Sequence, residues 1–177
     1  MGQMLKDDTF AKTQLEFATG ACALGTLLVA TSRKGICAIL LGDKPAALVG
    51  ELQQRFPNAD LTRGGKACER LLARVIGFIE APDGDLDVPL DIHGTAFQRR
   101  VWQALRKIPA GRTQSYADVA RRIGSPAAVR AVAGACAANP IALAIPCHRV
   151  VRSDGAPSGY RWGVQRKQAL LAREALR

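Results

Sequence analysis

The residues of this chain best suited to covalent chemistry stand together in the segment Ile145-Pro146-Cys147-His148-Arg149-Val150. A cysteine acts as a nucleophile only as its thiolate, and a neighbouring imidazole or cation favours that form. Cys147 has His148 beside it and Arg149 next along, so the segment predicts an activated thiol. By itself a Cys-His pair is weak, because most cysteines are inert buried side chains. Cys22, Cys37, Cys68 and Cys136 have no such neighbours and read as structural. Five cysteines with no CxxC pair, and only two histidines (His93 and His148), do not suit a zinc module. Reduced thiols of a cytoplasmic protein fit this usage.

The elements that must position Cys147 are helical and sharply punctuated. Thr95 can cap a helix carrying Phe97, Val101, Leu105 and Ile108, stopped by Pro109 and Gly111. Ser115, with Asp118 three residues on, suits the start of a short helix over 116–123. Gly124-Ser125-Pro126 then predicts a tight turn, with Ser125 as cap and Pro126 as first residue of a helix over 127–138. Helix, short turn, helix is a helix-turn-helix pattern. The second of these helices is almost wholly Ala, Val and Gly, with Arg130 its only charge, and Val129, Val132 and Ala133 are expected in the core. After Cys147 come a loop rich in Ser, Gly and Pro and a terminal helix to Leu176.

The first half reads as a small α/β unit. Residues 1–20 lack a clear period and are expected to be irregular. Residues 27–32 and 36–41 flank Arg33-Lys34-Gly35 as a hairpin. Pro45 starts a helix to about Phe56, a second helix spans 66–80, and residues 86–92 suggest a short strand. The chain is 48% hydrophobic and 23% charged, which supports packed domains rather than disorder. Its longest apolar run, residues 36–41, is too short to span a bilayer, and the N-terminus offers no apolar stretch of a secretory signal. No membrane partner is expected.

Charge divides the halves. Residues 1–94 carry ten Lys/Arg against twelve Asp/Glu, whereas residues 95–177 carry fifteen against three. The balances of −2 and +12 are the footprint of a polyanion-binding module joined to a slightly negative, non-binding partner.

Residues 95–174 closely resemble the catalytic half of the O6-alkylguanine-DNA alkyltransferases, most strongly in the bacterial adaptive-response branch. Pro146-Cys147-His148-Arg149 matches the family signature. Asn139 falls at the family's hinge asparagine, Arg130 at its arginine finger and Tyr116 at its active-site tyrosine. Ser158-Gly159-Tyr160-Arg161-Trp162-Gly163 is similar to the substrate loop, and Glu174 occupies the third catalytic position. The first ninety residues match more loosely, mainly through residues 35–42.

The resemblance implies a ribonuclease-H-like α/β domain (1–92) followed by a mainly α winged helix-turn-helix domain (93–177). It implies irreversible, cofactor-free transfer of an alkyl group to Cys147 from O6 of guanine, and from O4 of thymine, in duplex DNA. His148, oriented by Glu174, would take the thiol proton, and Tyr116 would donate a hydrogen bond to the base. Asn139, Tyr160, Arg161 and the backbone of Val150 would hold that base. Arg130 would fill the stack it leaves, with Gln98, Ser125 and Ser153 on the DNA. A recognition helix without Asn or Gln suits shape-driven binding in the minor groove rather than base readout. A monomer associated with the nucleoid is the corresponding expectation.

Some family members hold zinc in the first domain. With only His93 available there, no metal is expected. The regulatory half of the adaptive-response proteins has no counterpart here, so transcriptional activation is not expected. Two other classes stay open on the residues alone: a DNA-binding regulator without chemistry, and a Cys-His-acid hydrolase. Proteins of the inactive alkyltransferase-like kind lack the cysteine, so Cys147 argues against them.

Overall fold

Three strands of the first half run as an antiparallel meander: β1 (Thr13–Cys22), β2 (Gly25–Thr31) and β3 (Ile36–Gly42). A fourth, β4 (Ala59–Arg63), pairs in parallel with β1, giving the order β3-β2-β1-β4. The computed structural model describes residues 13–156 and 158–176. Residues 27–31 and 36–41 are buried without interruption, as strands covered on both faces require. The covers are α1 (Pro45–Arg55) and α2 (Lys66–Glu80). Leu48 of α1 lies over Gly42, while Leu72 and Ile76 of α2 lie over Gly20. Gly42 pairs with Thr26 and Gly20 with Leu27, adjacent β2 positions that face opposite ways, so the two helices flank the sheet.

Three expectations for this half need correction. Residues 13–20 are not irregular but belong to β1, and residues 1–12 lie outside the described residues. Only Leu15 and Phe17 give β1 an alternating pattern, and its pairing with β2 and β4 supplies the rest. The edge strand β4 left no signal, since only Ala59 in it is buried. Residues 86–92 do not form a strand. They make a single bridge, Leu90 to Ile36, through Ile36 N to Pro89 O (2.8 Å) and Asp91 N to Ile36 O (2.8 Å). Pro89 has no N–H to continue a ladder.

In the second half, α3 (Ala96–Leu105) and α4 (Tyr116–Arg122) begin at complete capping boxes, Thr95 with Gln98 and Ser115 with Asp118. Each cap contributes about 1 kcal/mol and fixes where its helix starts. The α3 helix stops before Ile108, which is nonetheless buried. Next, α5 (Val129–Ala137) starts later than Pro126. Ser125 does not cap it: residues 125–128 close a turn through Ala128 N to Ser125 O (2.9 Å), and Val129 is exposed rather than in the core. A two-residue parallel pair joins β5 (Gln114–Ser115), just before α4, to β6 (Val150–Val151), just after residues 147–149, and α6 (Val164–Ala175) ends the fold.

The halves share one core. Residues 140–142 dock on the β3 edge, with Ile39 N donating to Pro140 O and Ala142 N to Ile39 O, both at 3.0 Å. That docking brings the segment leading to Cys147 against the sheet. Among the described residues no helix is long and apolar enough to cross a membrane.

Candidate active site: a buried thiol beneath a loop-walled pocket

The thiol is placed by the loop between α5 and a 3-10 turn, Cys147–Arg149. Asn139 organises that loop. Fully buried, it donates through Nδ2 to Ile145 O (2.9 Å) and to Cys147 Sγ (3.2 Å), and its Oδ1 accepts from Ile141 N (2.9 Å). Both ends of the turn and the sulfur are therefore tied to one side chain. At the apex Leu143 has φ of 71°, a left-handed conformation uncommon outside glycine and held by the packing around it.

Behind the thiol, His148 and Glu174 are brought together from 26 residues apart, Nε2 to Oε1 at 2.8 Å. Arg149 completes the cluster. Its Nε and Nη2 donate to Glu174, and its Nη1 donates to Ile108 O (2.6 Å) and to Asp85 Oδ1 (3.2 Å). Burial alone would raise the Glu174 carboxyl, but the hydrogen bonds from His148 and Arg149 and their charges hold it down at about 2. Burial, aided by the charges of Arg149 and Lys167, keeps His148 below its ordinary range and so neutral. With an ionised carboxylate at Nε2, the imidazole proton sits there, and Nδ1 presents a lone pair. That Nδ1 is buried and has no hydrogen-bond partner among the described residues.

Cys147 itself is not the standing thiolate that its neighbours suggested. Burial pushes its thiol up, against the Asn139 hydrogen bond and the charges of Lys167 and Arg55. The resting sulfur is a neutral thiol with ionising help in place around it.

Above the sulfur lies a pocket of about 470 Å³, within the usual range of small-molecule sites. Tyr116, Cys136 and residues 158–161 line it. The Tyr116 hydroxyl donates to Ser158 O (3.3 Å), and burial raises its pKa, so it is a protonated donor. Tyr160 packs edge-on against Trp162, and its hydroxyl is buried without a partner among the described residues. Arg161 reaches from the wall to Glu51 (2.8 Å) and to Ala137 O (3.3 Å).

The expected site residues thus divide. Cys147, Tyr116, Tyr160 and Arg161 line the pocket, and Asn139, His148 and Glu174 stand immediately behind it. Val150 does not line it: the residue is fully buried in β6, and its N–H is bonded to Cys147 O. Gln98 spends its amide oxygen on the Thr95 cap. Arg130 is exposed on α5, beside exposed Ala131, Gly134 and Ala137. Ser153 is exposed in a separate cleft with Arg121 and Arg152, and Ser125 sits in the turn before α5. Sequence reasoning missed Lys167, which is 1% exposed, donates to Ser158 O (2.8 Å) and Gly159 O (3.2 Å), and lies 5.9 Å from the Tyr116 ring centroid. It also missed Arg55 and Glu51. No local signal could have found these, because their partners lie on other elements. Among the described residues no three Cys, His, Asp or Glu side chains group to hold a metal ion.

Comparison with known proteins gives this geometry a family. Residues 96–176 match the model of the 6-O-methylguanine DNA methyltransferase DNA-binding domain. The chain is 57% identical over 161 residues to the bifunctional transcriptional activator/DNA repair enzyme Ada of Escherichia coli K12, covering 91% of this chain and 46% of that protein. It therefore spans less than half the length of that relative. To the inducible methylated-DNA–protein-cysteine methyltransferase of Bacillus subtilis it is 38% identical over 144 residues, covering 81% of this chain and 80% of the relative. The crystal structure of the O6-methylguanine methyltransferase of Mycobacterium tuberculosis matches with a TM-score of 0.75 at 32% identity, over 92% of this chain and 94% of that one. With four-fifths of the Bacillus enzyme matched, and its thiol held beneath a pocket by Asn139, the chain belongs to the methylated-DNA–protein-cysteine methyltransferase family.

Proposed function

We propose that this chain repairs DNA by direct reversal, moving an alkyl group from O6 of guanine in duplex DNA onto its own Cys147, once. Sγ attacks the alkyl carbon, the carbon–O6 bond breaks, and its electron pair returns to the base. The thiol proton passes to His148, whose Nδ1 carries the free lone pair. Glu174, at Nε2, steadies the imidazolium that forms. Tyr116, already a protonated donor on the pocket wall, turns its hydroxyl to the guanine ring as negative charge develops there. A thioether does not hydrolyse and no second group nearby removes the alkyl, so the protein is consumed. The same chemistry extends to O4 of thymine, and no cofactor enters it.

The base reaches the pocket by flipping out of the duplex. In this scheme residues 93–177 act as a winged helix-turn-helix. Its helices are α4 and α5, its wing follows β6, and α5 approaches the minor groove through its small exposed residues. Arg130 fills the vacated stack, with Ser125, Ser153 and Gln98 nearer the backbone. Residues 1–92 form the ribonuclease-H-like partner domain, and the protein works as a monomer. Support comes from the excess of positive charge after residue 94 and from the small-residue outer face of α5.

The observation that carries the proposal is the floor of the pocket, where Asn139 holds Sγ at 3.2 Å and the His148–Glu174 pair stands behind it. Intact-mass measurement after incubation with an O6-methylguanine duplex tests it. One added methyl group, located on Cys147 by peptide mapping, is the expected result. Cys147→Ser should gain none while still binding the lesion. No mass change in the wild-type protein would refute it.

A further inference from the structure

The C-terminal end of α5 lines the pocket, and the carbonyls of residues 135–139, at and just beyond that end, are all partnered. Ala135 O accepts from Trp102 Nε1 (2.9 Å), and Cys136 O accepts from Asn139 N (3.2 Å). The remaining three are met by guanidinium groups. Arg161 Nη1 donates to Ala137 O (3.3 Å), and Arg55 donates to Ala138 O through Nη1 (3.1 Å) and to Asn139 O through Nη2 (3.3 Å). Two cations at the negative end of a helix dipole are favourably placed. Arg161 comes from the substrate loop, whereas Arg55 comes from α1, more than eighty residues earlier. Glu51, one turn before Arg55, joins them: its Oε1 accepts from Arg55 Nε (3.3 Å) and from Arg161 Nε (2.8 Å).

We propose that Arg55 and Glu51 are positioning residues for alkyl transfer, a clamp on α1 that fastens the Asn139 turn to the Arg161 loop and so fixes the pocket walls about Cys147. Arg55 holds the peptide of the residue that hydrogen-bonds the sulfur, and Glu51 holds the opposite wall to Arg55. The first half of the chain therefore contributes directly to the geometry of transfer. Arg55 is also one of the two cations whose charge opposes the burial of the Cys147 thiol. The clamp rests on the proposed role of Cys147 as acceptor.

The test is single-turnover transfer by the full chain at saturating O6-methylguanine duplex, with duplex affinity and thermal unfolding measured beside it. Arg55→Met should lower the saturating rate about tenfold, since small misplacements of reacting groups are costly. Duplex affinity should stay within about twofold, because Arg55 faces the pocket walls and not the outer face of α5. The reaction with free O6-methylguanine should fall by a similar factor. Arg55→Lys should recover part of the rate, because an ammonium cannot span two carbonyls and Glu51 together. Glu51→Gln offers a second variant that keeps the side-chain shape while removing the charge shared by the two arginines, and its rate should also fall. A saturating rate unchanged in either variant while folded, even with lowered thermal stability, would overturn the clamp. If the wild-type protein accepts no alkyl group, the proposed function itself fails, a result distinct from equal rates in wild type and variant.

Discussion

Cys147 rests as a neutral thiol in a buried position, so its activation must come from groups that act when the base is bound. On the proposed scheme His148 is that base, and Glu174 does two jobs: it orients His148 and neutralises Arg149. Only the first was legible in the sequence. The adjacent Cys-His pair and the distant glutamate could be aligned by family pattern, but the fork of Arg149 onto Glu174 needed the fold. Glu174→Gln should therefore slow single-turnover transfer about a hundredfold or more, by the scale of general-base catalysis. It should also destabilise the fold by about 3 kcal/mol at neutral pH, because Arg149 loses its buried charge partner and keeps only the exposed Asp85. The sign with pH follows from the depressed carboxyl. The stability that Glu174 contributes is complete above the ordinary carboxylate range and is lost as pH falls through about 2. Denaturant unfolding of the two proteins at pH 7 and near pH 2 checks this, with the difference shrinking in acid. An unchanged transfer rate would remove Glu174 from the chemistry.

At the scale of elements, the helices were readable because their signals are local. Both capping boxes lie within four residues of sequence, and α1 and α2 each carry an apolar stripe. What failed was non-local: β1 exists through its pairing with β2 and β4, β4 through its pairing with β1, and residues 86–92 lost their strand to Pro89. The start of α5 was misplaced by three residues because a single turn, not a cap, precedes it. Its exposed face still presents Arg130 amid small residues. In the proposed complex Arg130 occupies the stack position of the flipped guanine and never touches the alkyl carbon. Arg130→Ala should cut duplex repair at saturating DNA roughly tenfold, since an unstacked base costs a few kcal/mol and the guanidinium offsets part of that. The slow reaction with free O6-methylguanine should be unaffected. Equal losses on both substrates would assign Arg130 to the fold or the pocket instead.

Across the whole molecule, the charge division seen in the sequence falls on a structure whose two halves share one core, joined where residues 140–142 dock on β3. The sequence pattern divided the charge between the halves but could not reveal how α1 reaches the pocket, because Arg55 and its carbonyl partners carry no common motif. The basic second half implies affinity that is largely electrostatic. Raising salt from about 50 to about 200 mM should weaken duplex binding several-fold or more through counterion release, with little dependence on flanking sequence. A strong preference for one undamaged sequence would instead favour a regulator. The central claim is that Cys147 accepts one alkyl group irreversibly, and titration of the protein with excess O6-methylguanine duplex tests it most directly. The account expects repaired product to plateau at about one equivalent per active protein molecule, with every consumed molecule alkylated on Cys147; repair that continues past that plateau would contradict it.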